Sequence, residues 1–225
     1  LYADANGSLI FDPTCQLKAK SGRLLPWFFN AGNLMQHAEW LTKLAKIYVH
    51  ALRENFSKAD GSLDADILYG PAYKGIPLAA VVATEYYNQT GKNIGFSSHR
   101  KEVKDHGEWG NGFGMKVAGK KCIILDDVIT AGTAFRLSVD EIEKDGGSVS
   151  GLVVLIDRQE VTGGIEPPAA WEKRISAVMA AREENGIQVV WAFTYAEIRE
   201  AVREWLIGNT EIGDAMDKNA LKYGI

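Results

Sequence analysis

The chain is short of cysteine. Its two, Cys15 and Cys122, lie far apart, and Cys122 falls in an apolar run. That pattern excludes a disulfide-stapled scaffold and points to reduced thiols in a cytosolic protein. Long hydrophobic stretches are missing as well. Nothing approaches the ~18 residues of a membrane span, and no segment has the layout of a secretory signal. The sequence opens at Leu1 without Met, so a trimmed or disordered N-terminus is expected. Charge of one sign is not in large excess: 25 Lys and Arg against 29 Asp and Glu leave a net charge of −4. A general nucleic-acid surface is therefore not expected, and any anion site must come from local clustering of bases. Internal repeats and low-complexity tracts are also lacking. What is there is ordinary globular composition, 46% hydrophobic and 24% charged over 225 residues. Such a chain can bury a core without covalent help.

Residues 1–32 are broken by Gly7, Pro13, Gly22 and Pro26 and are expected to be irregular. A helical pattern runs from Leu34 to Phe56 through Ala38, Leu41, Leu44, Ala45, Tyr48 and Leu52. Asp66 to Tyr69 reads as a strand, Gly70 to Gly75 as a loop, and Ile76 to Asn88 as a helix with Pro77 in its first turn. Ile94 to Ser97 is a further strand. His99 to Gly114 is polar and Gly-rich and is expected to be a mobile loop. Then come strand 122–126, helix 134–145, strand Leu152 to Ile156, a loop from Val161 to Pro168 and a helix from Ala169 to Glu184. Strand Gln188 to Phe193, helix Tyr195 to Ile207 and a polar helical tail complete the chain. Strands alternating with helices argue for βαβ units and a parallel sheet covered on both faces. No linker separates two cores, so residues 1–225 are expected to form one domain.

The most informative stretch is Cys122-Ile-Ile-Leu-Asp-Asp-Val-Ile-Thr-Ala-Gly-Thr-Ala134. An apolar run of this kind is a buried strand of a parallel sheet. Asp126 and Asp127 then stand at its C-terminal end, where open α/β sheets place ligands. Thr130, Ala131, Gly132 and Thr133 form a small-residue loop opening a helix, whose backbone N–H groups can hold a phosphate. Two hydroxyl-binding carboxylates beside a phosphate cradle suit a ribose 5-phosphate. An isolated Asp pair is more often an ordinary strand end; the whole string is not.

Four other segments are candidates. Arg100, Lys101, Lys104 and His106 crowd into one stretch flanked by Gly107, Gly110, Gly112 and Gly114. A charge run is usually a solvated loop, but clustered cations flanked by glycines also suit a lid that closes over an anionic leaving group and excludes water. Tyr69-Gly-Pro-Ala-Tyr73-Lys74-Gly75 follows a strand. Its glycines permit unusual backbone angles and close approach to a ligand, and Lys74 can reach a phosphate as a point charge. In Lys20-Ser-Gly-Arg-Leu-Leu-Pro-Trp-Phe28-Phe29-Asn30, the aromatics suit either a core or a flat heterocycle. In Asp157-Arg158-Gln159-Glu160, the Arg158 fork suits a carboxylate ligand or an ion pair with Asp157 or Glu160.

The order of these segments resembles the orotate phosphoribosyltransferases of the type I phosphoribosyltransferase family, most closely over about residues 9 to 160. The Asp-Asp-Val-Ile-Thr-Ala-Gly-Thr-Ala string places the chain in the superfamily. The Phe-Phe, Arg-Lys-Glu and Asp-Arg-Gln-Glu segments select the orotate branch. The resemblance implies a central parallel sheet flanked by helices, with a small hood from about residues 1–32 and parts of the C-terminal region. It implies transfer of the 5-phosphoribosyl group from 5-phosphoribosyl-1-diphosphate (PRPP) to orotate, giving orotidine 5-monophosphate and diphosphate in pyrimidine biosynthesis, with Mg²⁺ as cofactor. It implies a cytoplasmic homodimer in which the loop 99–114 reaches the neighbouring active site.

Position by position, the resemblance assigns PRPP contacts to Lys20, Tyr73, Lys74, Arg100, Lys101, Lys104 and His106, and to Asp126, Asp127, Val128, Ile129, Thr130, Ala131, Gly132, Thr133 and Ala134. It assigns orotate contacts to Phe28, Phe29, Thr130 and Arg158, and catalysis to Lys104, Asp126 and Asp127. No residue is implied as a protein ligand to a metal. The family usually has Leu-Lys-Ser-Gly-Arg where this chain has Leu17-Lys18-Ala19-Lys20-Ser21, and Lys20 is chosen because it directly precedes Ser-Gly-Arg. His99 stands where Asn is common, and Trp109 replaces a loop glycine. A purine-salvage phosphoribosyltransferase shares the PRPP loop but does not account for Arg158 or the Phe28-Phe29 pair. A non-enzymatic PRPP-sensing regulator has no need of the loop cations.

Overall fold

The structure, a computed structural model, describes residues 2–4, 7–19, 22–100, 112–129, 132–161, 175–205 and 210–224. Among these, the first segment holds five short strands: β1 (Tyr2–Ala3), β2 (Leu9–Phe11), β3 (Leu17–Lys18), β4 (Leu24–Leu25) and β5 (Trp27–Phe29). Antiparallel pairing builds one sheet in the order β1-β2-β5 and a separate β3-β4 ribbon. The expected irregular segment is therefore a small antiparallel layer. Strands of two or three residues are too short for period-two alternation to register in the sequence.

Two helices follow, α1 (Ala31–Leu34) and α2 (Ala38–Phe56), where one continuous pattern from Leu34 was expected. The break at residues 35–37 leaves His37 extended, with φ −124° and ψ 134°. Asn33 ties α1 to the N-terminal segment instead, its Nδ2 donating to Gly7 O at 2.8 Å.

The main body continues with β6 (Ile67–Tyr69), α3 (Gly75–Thr90), β7 (Gly95–His99), β8 (Gly112–Gly114), β9 (Lys121–Val128), α4 (Thr133–Lys144) and β10 (Ser148–Asp157). It ends with α5 (Ala177–Asn185), β11 (Gln188–Thr194), α6 (Tyr195–Trp205) and α7 (Thr210–Tyr223). Six strands form a sheet in the order β11-β10-β9-β6-β7-β8, parallel except where β8 runs antiparallel to β7. That pairing takes residues 112–114 out of the expected loop. Gly114 adopts φ 86°, and a Cβ there would lie 2.4 Å from Phe96 O.

Side chains alternate across the sheet as the pleat requires. Leu68, Ile123 and Leu125 face α2 and α3, packing with Leu44, Tyr48, Leu52, Leu78, Val82 and Tyr86. Ile67, Tyr69, Cys122 and Ile124 face α4 and α5, packing with Phe135, Val139, Ile142 and Val178. Both cysteines are free, and burial pushes the Cys122 thiol up to about 12.

Helix ends follow local chemistry. Gly91 ends α3 at φ 67° and Gly186 ends α5 at φ 62°, both left-handed positions that favour glycine. Of the helix expected from Ala169 to Glu184, residues 169–174 lie outside the described residues, and α5 begins at Ala177. Ser176 is extended and caps it, its Oγ accepting from Met179 N at 3.2 Å. The C-terminal helix is amphipathic rather than polar: α7 buries Ile212, Ala215, Met216 and Tyr223, and Tyr195 donates to Met216 O at 3.0 Å. The chain end closes on the segment after β10, where Val161 N donates to Tyr223 O at 2.8 Å. No helix of the described residues is long and apolar enough to cross a membrane.

Candidate functional site

Strand order locates the site. From β6 the chain moves to β7 on one side, then returns to β9 on the other side of β6. The carboxyl ends of β6 and β9 therefore flank the point where the winding reverses, the crevice in which open parallel sheets bind ligands. The loop after β6 carries Tyr73 and Lys74. The end of β9 carries Asp126 and Asp127.

The loop after β6 is exceptionally tight. A Cβ on Gly70 would lie 1.9 Å from Gly75 O, and one on Gly75 would lie 2.7 Å from Pro71 Cδ. The two glycines serve close approach of the chain to itself, and neither needs a positive φ. The Ala72–Tyr73 peptide is cis. Tyr73 is exposed. Lys74 extends across the crevice, its Nζ 3.6 Å from Asp127 Oδ2 and 3.3 Å from Asn30 Oδ1.

At the end of β9, the acid pair is held by its own backbone. Asp127 N donates to Asp126 Oδ1 at 2.9 Å, and Val128 N to Asp127 Oδ1 at 2.8 Å. Burial, then the charge of Asp127, push the Asp126 carboxyl up to about 7, against the pull of the Asp127 N–H and of Lys74. Two adjacent carboxylates in a half-buried place cannot both ionise cheaply. Beneath them the buried Tyr48 of α2 donates from its hydroxyl to Asp126 O at 2.7 Å. Burial and the two acids hold that phenol well above the usual tyrosine range.

Beyond the acids, Ile129 is buried and its side chain joins the core beneath α4. Val128 packs on the opposite cluster. The Ile129 side chain is thus closed to a ligand, and that of Val128 is partly buried. Gly132 caps α4 at φ 71°, and the first turn of α4 carries no acidic residue, so its N–H end keeps its positive character.

The aromatic segment reaches this crevice through Asn30. Asn30 caps α1, accepting from Gly32 N at 3.1 Å, and shares its Oδ1 with Lys74. Along β5, Trp27 is buried, Phe28 is exposed and Phe29 packs on the core. Phe28 is thus the ring presented outward. Trp27 stacks on Tyr195, with centroids 5.1 Å apart, and carries the Arg158 guanidinium 5.3 Å above its ring. Arg158 also donates to both oxygens of Glu160, at 2.9 and 3.1 Å.

The chain is similar to known proteins. The family model described as a phosphoribosyl transferase domain matches residues 41–190. The orotate phosphoribosyltransferase of Xanthomonas euvesicatoria is 45% identical over 171 residues, covering 76% of this chain and 71% of that protein. The chain belongs to the orotate phosphoribosyltransferase family. The fission-yeast (Schizosaccharomyces pombe) member is 47% identical over 141 residues, 63% of this chain and 62% of that protein. The crystal structure of the Francisella tularensis orotate phosphoribosyltransferase superposes with a TM-score of 0.76 at 33% identity, over 98% of this chain and 96% of that one.

On this orotate phosphoribosyltransferase fold, the structure brings Lys74, Asp126 and Asp127 together and sets Phe28, Phe29 and Arg158 along the adjoining N-terminal layer. Gly132, Thr133 and Ala134 open α4 next to the acids. Arg100 is exposed just after β7. Lys20, Lys101, Lys104, His106, Thr130 and Ala131, with Trp109, lie outside the described residues. Three contributors escaped the sequence reading. Tyr48 stood there only as an apolar helix position, Asn30 only as the end of an aromatic segment, and Glu160 only as a partner for Arg158. A tyrosine on the buried face of a helix needs a partner for its hydroxyl, and that was the one signal available for Tyr48.

Proposed function

We propose that the protein transfers the 5-phosphoribosyl group of PRPP to orotate, giving orotidine 5-monophosphate and diphosphate. The observation that carries this reading is the meeting of Lys74 and Asp127, 3.6 Å apart, across the reversal point between β6 and β9. It joins a cation for phosphate to carboxylates for ribose hydroxyls, next to a helix N-terminus for the 5-phosphate. Asp126 and Asp127 accept from the ribose 2- and 3-hydroxyls. Backbone N–H groups of residues 130–134 hold the 5-phosphate, with Val128 and Ile129 contributing main chain. Lys20, Tyr73 and Lys74 contact PRPP from the other side, and Arg100, Lys101, Lys104 and His106 cover the diphosphate. Phe28 and Phe29 flank the orotate ring, Thr130 touches it, and Arg158 takes its carboxylate.

In the reaction, the bond from the ribose C1 to the diphosphate oxygen breaks and its electron pair leaves with diphosphate. Orotate N1 forms the new bond, and its proton passes to the departing diphosphate. Orotate already carries negative charge, so positioning and electrostatics do most of the work. The carboxylates favour the positive charge that develops on the sugar, and the loop cations, Lys104 above all, favour the departing anion.

Among the described residues no group of three or more His, Cys, Asp or Glu is placed to hold a metal ion. Two adjacent carboxylates are hard oxygen donors, and they suit a Mg²⁺ held mainly by substrate oxygens. Asp126 and Asp127 would help hold Mg²⁺ there, and it would supply positive charge against the leaving group.

The same reading takes residues 1–225 as one domain hooded by about residues 1–32 and the C-terminal region. Contacts such as Arg23 Nη1 to Val161 O at 3.0 Å support it. It takes the protein as a cytoplasmic homodimer, with the loop 99–114 serving the neighbouring site. Exposed Tyr87, Phe113 and Met115 offer apolar surface for such a contact.

The test follows orotate absorbance on adding PRPP and Mg²⁺ to the purified protein. Loss of absorbance that needs all three components is expected. PRPP binding without turnover moves the assignment to another base or to a PRPP sensor.

A further inference from the structure

Just past β10 the chain sets two opposite charges side by side. Gln159 takes a left-handed φ of 49°, unusual for a residue with a side chain. It is tied at both ends: its N–H donates to Asp157 Oδ1 at 2.9 Å, and its Oε1 accepts from Ala196 N at 2.9 Å. This turn places Arg158 and Glu160 on one side. Their side chains are 13% and 12% exposed. Arg23, 3% exposed, lies beyond, its Nη1 3.9 Å from Glu160 Oε2. One carboxylate therefore stands between two enclosed guanidiniums, and the trio carries one surplus positive charge.

The Arg158–Glu160 contact is incomplete. Both Glu160 oxygens accept from the single nitrogen Nη2, not from the two-point fork that arginine offers a free carboxylate. Arg158 Nε is buried without a hydrogen-bond partner, as is Nε1 of Trp27 beneath it. A buried donor without a partner is costly, and a second carboxylate would satisfy it.

We propose that Glu160 is an internal stand-in for the orotate carboxylate, occupying Arg158 between turnovers and turning toward Arg23 when orotate arrives. This rests on the reading that Arg158 binds the orotate carboxylate. Glu160 keeps a buried arginine paired in the free enzyme, and orotate must displace it. Glu160 thus sets orotate affinity and helps product leave, as a positioning residue that does not touch substrate.

Glu160→Gln keeps the shape and removes the charge, and Glu160→Met removes the acceptors as well. Both should lower KM for orotate by about tenfold, the scale of one like charge lost within a few ångströms, with KM for PRPP unchanged. Both should also melt lower without orotate and gain more from it than wild type. Inhibition by uracil, which has no carboxylate, should not shift. An unchanged or raised KM for orotate overturns the proposal. A structure of the wild-type protein with orotate decides independently of any variant: Glu160 turned to Arg23 supports it, and Glu160 still bonded to Arg158 overturns it. Arg158→Gln separates the two layers. If it leaves KM for orotate unchanged, the reading of Arg158 itself fails. If it raises KM while Glu160→Gln does not lower it, only the role of Glu160 fails.

Discussion

The phenolic hydroxyl of Tyr48, on α2, donates a 2.7 Å hydrogen bond to the main-chain carbonyl of Asp126, on β9. The bond fastens the first acid of the pair to a helix that packs on the sheet. Removing the hydroxyl leaves a carbonyl short of a donor. Tyr48→Phe should destabilise the protein by about 1–2 kcal/mol. It should also raise KM for PRPP more than KM for orotate, because the acid pair and not the aromatic segment loosens. Thermal melts and steady-state kinetics check both. Equal effects on the two substrates would assign Tyr48 a purely structural part.

Asp126 carries a stability cost that changes with pH. Its carboxyl is pushed from 3.8 up to about 7, so the folded state keeps a proton that the unfolded chain has already lost. Stability from this group therefore falls as pH rises from about 4 to about 7 and is level above that. Asp126→Asn should remove the fall. At pH 8 it should be more stable than wild type by on the order of 1–2 kcal/mol, and nearly inactive. Melting temperature followed from pH 5 to pH 8 tests this, and parallel curves for the two proteins would contradict it.

Gly70 and Gly75 leave no room for a side chain. Gly70→Ala puts a Cβ 1.9 Å from a main-chain oxygen, and should cost about 3 kcal/mol together with activity. Gly91→Ala meets nothing within 4 Å and bears only its φ of +67°, a cost of about 1 kcal/mol with activity kept. Chemical denaturation of both variants measures the contrast.

Lys104 is assigned to the leaving diphosphate. Lys104→Ala should lower kcat by about 100-fold, the scale for losing one group aimed at developing charge, and change KM far less. A change confined to KM would remove Lys104 from the chemistry.

The elements legible in the sequence were those whose environment repeats along the chain. Strand β9 was readable because its central residues are buried on both faces, which turns alternation into an unbroken apolar run. Helix α3 was readable from Pro77 at its start, and α4 from the small-residue loop before it. The alternation of strands and helices carried the parallel sheet. The N-terminal strands were not readable, because runs of two or three residues are too short for alternation to show. β8 was hidden for a different reason: its glycines look like loop but fit a close approach to Phe96.

The acid pair, the small-residue loop after it, the glycines flanking Lys74 and the aromatic and Arg158 segments are all legible along the chain. Each is a local arrangement whose chemistry lies in neighbouring residues. Tertiary structure alone decided which of them meet. Lys74 reaches Asp127 and Asn30 because β6 and β9 are adjacent in the sheet. Tyr48 reaches Asp126 because α2 covers that face, and Arg158 lies over Trp27 because the N-terminal layer packs against the turn after β10. Contacts between residues distant in the chain arise only when the core closes, and no local pattern records them.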